Sequence, residues 1–230
     1  MFGWGGGRVR RHGGGRRGFS LTSGIGYGNA GNVPEYSVRG GGIPIDVMAI
    51  TNRWQVVDAL PTGADSRPLT FDGGAFAPGQ YEPSGPVVLG QAGYWNFVAC
   101  TIIATTRGGD RRPYALTAMQ FPGVLPYVHI YPESWRASAT SLSPEVHLES
   151  GEFNDKYSVF SDSARTVYQL ISPRSMRYLI GQPPLDELWT AGQSLCICRV
   201  DPHNAAVLGA HLSTLTTLAG DIPSSAWDPA

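Results

Sequence analysis

The sequence predicts an α+β domain: an antiparallel β meander with helices packed on one face, preceded by a disordered or partner-ordered N-terminal arm. Three observations predict it. The middle of the chain is a succession of short runs rich in β-branched and aromatic residues, which read as strands. After residue 162 apolar residues recur at helical spacing, without the regular strand–helix alternation of an α/β fold. Residues 1–42 hold few large apolar side chains among many glycines, so they cannot offset the entropy of ordering alone. The 230 residues divide into that arm, a single domain over 43–222 and a tail over 223–230, and 42% hydrophobic residues suffice for a core without disulfides.

Taken in order, Pro44 suits a first helical turn, and a short helix runs through Asn52 with Val47, Met48 and Ile50 inward and Trp54 as the next anchor. Residues 58–86 read as a loop, because Pro61, Pro68, Pro78, Pro83 and Pro86 fall in it; it is a candidate excursion or binding loop. Strands are expected over 94–106, 114–121 and 127–131, with 107–113 as a hairpin tip. Two more are expected over 145–148 and 156–160, joined by a polar turn. Asp162 is placed to cap a helix carrying Ala164, Val167, Tyr168 and Ile171. Ser172-Pro173 starts another, with Met176, Leu179 and Ile180 inward and Gly181 and Pro183 ending it. A hairpin follows over 185–200, and Asp201-Pro202 opens a last helix with Leu208, Leu212, Leu215 and Ala219 on one stripe.

Charge is unevenly spread. Residues 1–18 carry Arg8, Arg10, Arg11, Arg16 and Arg17 and no acid, a net of +5. The remainder holds 12 basic against 18 acidic residues, a net of −6, so a basic arm is attached to an acidic body. Arginine supplies all but one of the basic residues, Lys156 being the exception; the arginines are spread along the chain, which fits a genomic base bias better than one phosphate site. Cys100, Cys196 and Cys198 are odd in number and read as buried thiols of a reducing compartment. No apolar run reaches the ~20 residues of a membrane span. The pair Arg16-Arg17 lacks the apolar stretch that a twin-arginine export signal needs, so a cytoplasmic protein is expected.

The stretch His147-Leu148-Glu149-Ser150-Gly151-Glu152-Phe153-Asn154-Asp155-Lys156-Tyr157-Ser158-Val159 resembles an uncharacterised bacterial family common in actinobacteria, with a Glu-Ser-x-Glu-Phe-Asn motif. So do Asp162, Ala164, Leu170, Ser172-Pro173-Arg174-Ser175-Met176 and Leu179, and the Leu125-Pro126 pair ahead of a strand. The resemblance spans roughly residues 44–222. It implies a fold and no activity. Many family members carry transmembrane helices ahead of the domain, where this chain has its arm.

Residues suited to chemistry are few. His147-x-Glu149 would share one face of a strand, near Glu152 and Asp155, and a metal site would need further ligands from His129, Cys196, Cys198 or His203. The alternative is structural: Glu149, Glu152 and Asn154 satisfy turn backbone and Phe153 plugs the core. No nucleophile elbow, phosphate loop or dinucleotide fingerprint is present, since Gly24-Ile25-Gly26-Tyr27-Gly28 has neither strand before it nor helix after it. No cofactor or small-molecule substrate is indicated.

The arm is the sharpest feature. Trp4, Arg8, Arg10, Arg11, Arg16, Arg17 and Phe19 form the expected partner-binding set. The leading expectation is a non-enzymatic protein-interaction or assembly module, a homo-oligomer or a subunit of a larger complex such as a virion or envelope-associated assembly. The second is nucleic-acid binding through phosphate contacts and stacking on the arm, with Arg107, Arg111 and Arg112 as a second basic spot. The third is a metal-dependent or hydrolytic enzyme using His147 and Glu149. Trp95, Trp135, Trp189 and Trp227 read as core or edge anchors.

Overall fold

The computed structural model describes residues 42–60, 81–105, 111–134, 143–183 and 185–227. Their elements, in chain order, are α1 (Ile45–Asn52), β1 (Gln55–Val57), β2 (Tyr81–Ala92), β3 (Trp95–Thr105), β4 (Arg111–Gln120), β5 (His129–Pro132), α2 (Gly151–Lys156), β6 (Tyr157–Phe160), α3 (Ala164–Leu170), α4 (Pro173–Gly181), β7 (Glu187–Ala191), β8 (Ser194–Val200) and α5 (Ala205–Asp221). A short 3-10 turn follows at Ser224–Ala226. The eight strands form one sheet in the order β1-β2-β3-β4-β8-β7-β5-β6, every neighbouring pair antiparallel. This is the expected α+β class.

Strand alternation sorts the sheet's side chains into two faces. On one lie Phe97, Ala99, Met119, Ile130, Leu188, Leu195 and Ile197, and here all five helices pack. The long helix α5 runs over β4 and β8 with Leu208, Leu212, Leu215, Leu218 and Ala219 buried. α1 adds Ile45 and Ala49 beside it, while α2, α3 and α4 contribute Phe153, Val167, Leu170, Met176 and Leu179. The other face buries Val98, Cys100, Ile102, Leu116, Ala118, Trp189, Cys196 and Cys198 in a cluster of strand side chains. Helices on one face is therefore also as expected.

Several expectations need correction. Residues 81–86 are not loop: they begin β2. Pro83 and Pro86 are tolerated because, among the described residues, β1 pairs β2 only at Val87, Val88 and Leu89, leaving the proline stretch an edge, and a register shift with Gly85 at φ 79° breaks the ladder there. Residues 151–156 form α2 rather than a turn between strands, because the Ser150 side chain accepts the Phe153 N–H and caps it. Before it, Glu145 makes one isolated bridge to Phe160 and His147 and Glu149 lie in no strand. On α1 Met48 packs inward as expected, but beside Ile45 and Ala49, while Val47 and Ile50 are 47% and 74% exposed. Tyr168 is likewise exposed on α3. Asn204, not Asp201, caps α5, accepting the Val207 N–H at 3.0 Å. Asp162 accepts from the Ser143 hydroxyl, and Ser163 is the residue before α3.

Other readings hold. Ser172 caps α4 through the Ser175 N–H at 3.0 Å, with Pro173 at its start. Trp54 packs edge-on against Phe97, over Gly90, where a Cβ would lie 2.7 Å from both rings. Trp227 packs edge-to-face against Trp95 and Phe121. Its carbonyl oxygen approaches Gly123 so closely that a Cβ there would lie 1.7 Å away. Trp135, Arg107 and the arm residues 1–41 lie outside the described residues.

Candidate functional site

The metal or hydrolytic alternative at His147 and Glu149 finds no assembled site among the described residues. His147 and Glu149 are both exposed, and no cluster of three or more His, Cys, Asp or Glu side chains suited to a metal occurs among the described residues. The motif around them builds structure. Asn154 clamps the loop by accepting the Leu148 N–H at 3.1 Å and donating to the Leu148 carbonyl at 2.7 Å. Phe153 is fully buried. Lys156 Nζ donates to the carbonyls of Leu179, Ile180 and Gln182, which are left over at the end of α4, where a cation also meets the negative pole of the helix.

Chemistry-bearing side chains gather instead on β7 and β8. On the face away from the helices, Glu187 pairs in register with Cys198, and Trp189 with both His129 and Cys196. His129 Nε2 lies 2.5 Å from Glu187 Oε1, and each residue is 1% exposed. The other ring nitrogen faces the hydroxyls of Tyr131 at 3.0 Å and Tyr127 at 3.4 Å. The Cys198 thiol donates to Glu187 Oε2 at 3.7 Å. Burial and then the Glu187 charge hold that thiol's pKa well above its ordinary value. The Cys196 thiol is raised by the same two causes, and burial pushes Cys100 up to about 12. A thiolate is the nucleophile and metal ligand that these sites disfavour, so the cysteines behave as the small buried residues expected. All three are free.

On the helix face a second chain of contacts runs across the sheet. The Leu116 carbonyl can only accept, so His203 Nε2, 2.9 Å away, carries the proton. The Thr117 hydroxyl, 3.2 Å from that same nitrogen, therefore receives rather than gives, and it donates to His211 Nδ1 at 3.0 Å. His211 then carries its proton on Nε2. Burial lowers His203 to about 4, and burial followed by the His203 and Arg199 charges lowers His211 well below 6.5, so both rings are neutral at pH 7. His203 N–H also bonds Thr101 Oγ1 at 3.0 Å, which straps the residues ahead of α5 onto the sheet.

His211 lines an open cleft of about 70 Å³ between the end of α4, the start of β7, β8 and α5. Asp186, Arg199 and Thr214 share its wall. Asp186 accepts the Val200 N–H; its pKa is raised by burial, against the opposing pull of that hydrogen bond and of Arg199.

The sequence offered His129, Cys196, Cys198 and His203 as groups for the fold to gather. The structure joins His129 and Cys198 through Glu187 and sends His203 to the opposite face. Glu187, Asp186, Arg199, His211 and Thr214 were missed. One signal was available: Glu187 is an acid two residues from Trp189 on the same face of an otherwise apolar strand. His211 gave none, since it interrupts the leucine stripe of α5 as a core histidine would.

No protein-family model matches the chain. No curated protein matches it either. Among solved structures it is similar to the crystal structure of the mycobacterial trehalose monomycolate transport factor A, TtfA. The two are 13% identical, the match covers 63% of this chain and 75% of that one, and the TM-score is 0.42. A likeness of that degree carries no argument about function. No helix among the described residues is long and apolar enough to cross a membrane.

Proposed function

We propose that the protein is a non-enzymatic interaction and assembly module, with the folded body as scaffold and the N-terminal arm as its contact element. The observation that carries this reading is the charge division: +5 on residues 1–18 against −6 on the remainder. Opposite charge of that size speeds encounter with an acidic partner, a second copy included. The root of the arm is held firmly. Ala205 N–H donates to the Ile43 carbonyl at 2.7 Å, and a Cβ on Gly42 would touch the Asn204 side chain at 3.0 Å, so the chain crosses the start of α5. Beside that root Ile43, Val47 and Ile50 leave apolar surface exposed. Several of the body's buried polar groups bond each other, His129 with Glu187 and Thr117 with His211, as in a rigid scaffold.

Under this reading the protein works in the cytoplasm or within a virion or envelope-associated assembly. We also propose that the Glu149–Asn154 resemblance is one of shared fold, since Ser150, Phe153 and Asn154 act as cap, plug and clamp.

The test is affinity capture with the intact chain from nuclease-treated lysate, beside a chain with Arg8, Arg10, Arg11, Arg16 and Arg17 replaced by Gln. A discrete protein partner, or a second copy, held only by the intact chain supports the reading. Partners that vanish with nuclease, and binding that falls steeply with salt, would transfer the role to nucleic acid.

A further inference from the structure

The cleft beside His211 stands apart from the arm and its proposed role. Neither His211 Nε2 nor the Thr214 hydroxyl has a hydrogen-bond partner among the described residues, and each residue as a whole is only 5% exposed. They stand three residues apart on α5, and so on one side of it, and both line the cleft. With Nδ1 taken by Thr117, Nε2–H is the ring's remaining donor, on a residue that lines the cleft. Donors that line an open cleft and have no protein partner there are met by water or by a ligand that accepts from them.

We propose that this cleft is a binding site for a short aliphatic monocarboxylate. Its donors are the His211 Nε2–H and the Thr214 hydroxyl, and the Arg199 guanidinium, whose charge bears on both His211 and Asp186, supplies the positive charge. The Asp186 carboxylate on the same wall opposes a doubly charged anion such as phosphate. Leu185, Ile197 and Val207 line the remainder and suit an alkyl tail. A volume of about 70 Å³ admits on the order of five water-sized groups, which is the heavy-atom count of propionate. The neutral histidine tautomer fixed by Thr117 makes His211 a donor at pH 7 without a second full charge in the cleft.

The experiment follows the imidazole nitrogens of the full-length protein by long-range proton–nitrogen NMR at pH 7.5. Sodium propionate is titrated in, with sodium chloride and propionamide as parallel arms. The expected result is a saturable shift of His211 Nε2 with propionate alone, while the His129 signals stay in place. Arg199→Gln should weaken the apparent affinity by about tenfold and Thr214→Val by several-fold, as the loss of a charged and a neutral hydrogen bond requires. Both are judged in protein whose remaining spectrum is unchanged, and Arg199 is exposed, so its replacement leaves the core alone. A linear, non-saturating response to propionate overturns the proposal. So does an equal response to propionamide, or an affinity that Arg199→Gln leaves untouched.

Discussion

Thr117 lies between two imidazoles that are both held neutral, and the sign of the resulting pH dependence is fixed. In the unfolded chain a histidine protonates near 6.5, whereas folded His203 does so only near 4. Between those values the unfolded state binds more protons, so stability falls as pH falls through that window and the loss is complete below about 4. From His203 alone the loss is on the order of 3 kcal/mol. Urea midpoints measured from pH 7.5 to 4 should drop accordingly, and His203→Gln should flatten the profile; an unchanged slope in that variant would contradict the assignment. On the opposite face, His129→Ala leaves Glu187 buried with the Cys198 thiol as its one side-chain partner among the described residues, and should cost about 3–5 kcal/mol by chemical denaturation. Replacing both His129 and Glu187 by Leu should cost less than that single change. These networks were hidden in the sequence because they join residues 58 and 94 positions apart, brought together by the pairing of β5 with β7 in one case and by the packing of α5 on β4 in the other.

α2 shows how far an element can be read from its residues. Ser150 and Phe153 announce a cap and a plug, yet six residues at a strand boundary look the same as a polar turn until Asn154 is seen to clamp Leu148. Phe153→Ala should cost about 3–5 kcal/mol, the range for a fully buried phenylalanine. Asn154→Ala should cost about 1–3 kcal/mol, because it strips the backbone N–H and carbonyl of buried Leu148 of their partner. Thermal melts that show Asn154→Ala as neutral would mean the clamp does not matter. Helices with a serine cap and a strong apolar period, such as α4, were legible. β2 was not, since proline frequency outweighed Val87, Val88 and Leu89, and only the shortness of β1 explains why proline survives there. The outward side of α1 was unreadable for another reason. That helix is apolar nearly all round, so periodicity could not choose its buried face.

Across the whole molecule the sequence conveyed the class and the one-sided helix layer, because strand-rich and helix-rich halves are separated along the chain. Closure at the C-terminal end was less visible: Trp227 completes an aromatic cluster with Trp95 and Phe121, and Gly123 is required where its carbonyl approaches. Gly123→Ala should dislodge that segment and change tryptophan fluorescence at unchanged helix content. The central claim is that the body is a self-sufficient scaffold and the arm its contact element. The measurement that tests it most directly compares the intact chain with one lacking residues 1–18, by thermal melt and by capture of partners in nuclease-treated lysate. The account requires a melting temperature that hardly moves together with loss of the captured complex. A large drop in melting temperature would make the arm part of the core, and equal capture by both chains would assign the contact to the folded body.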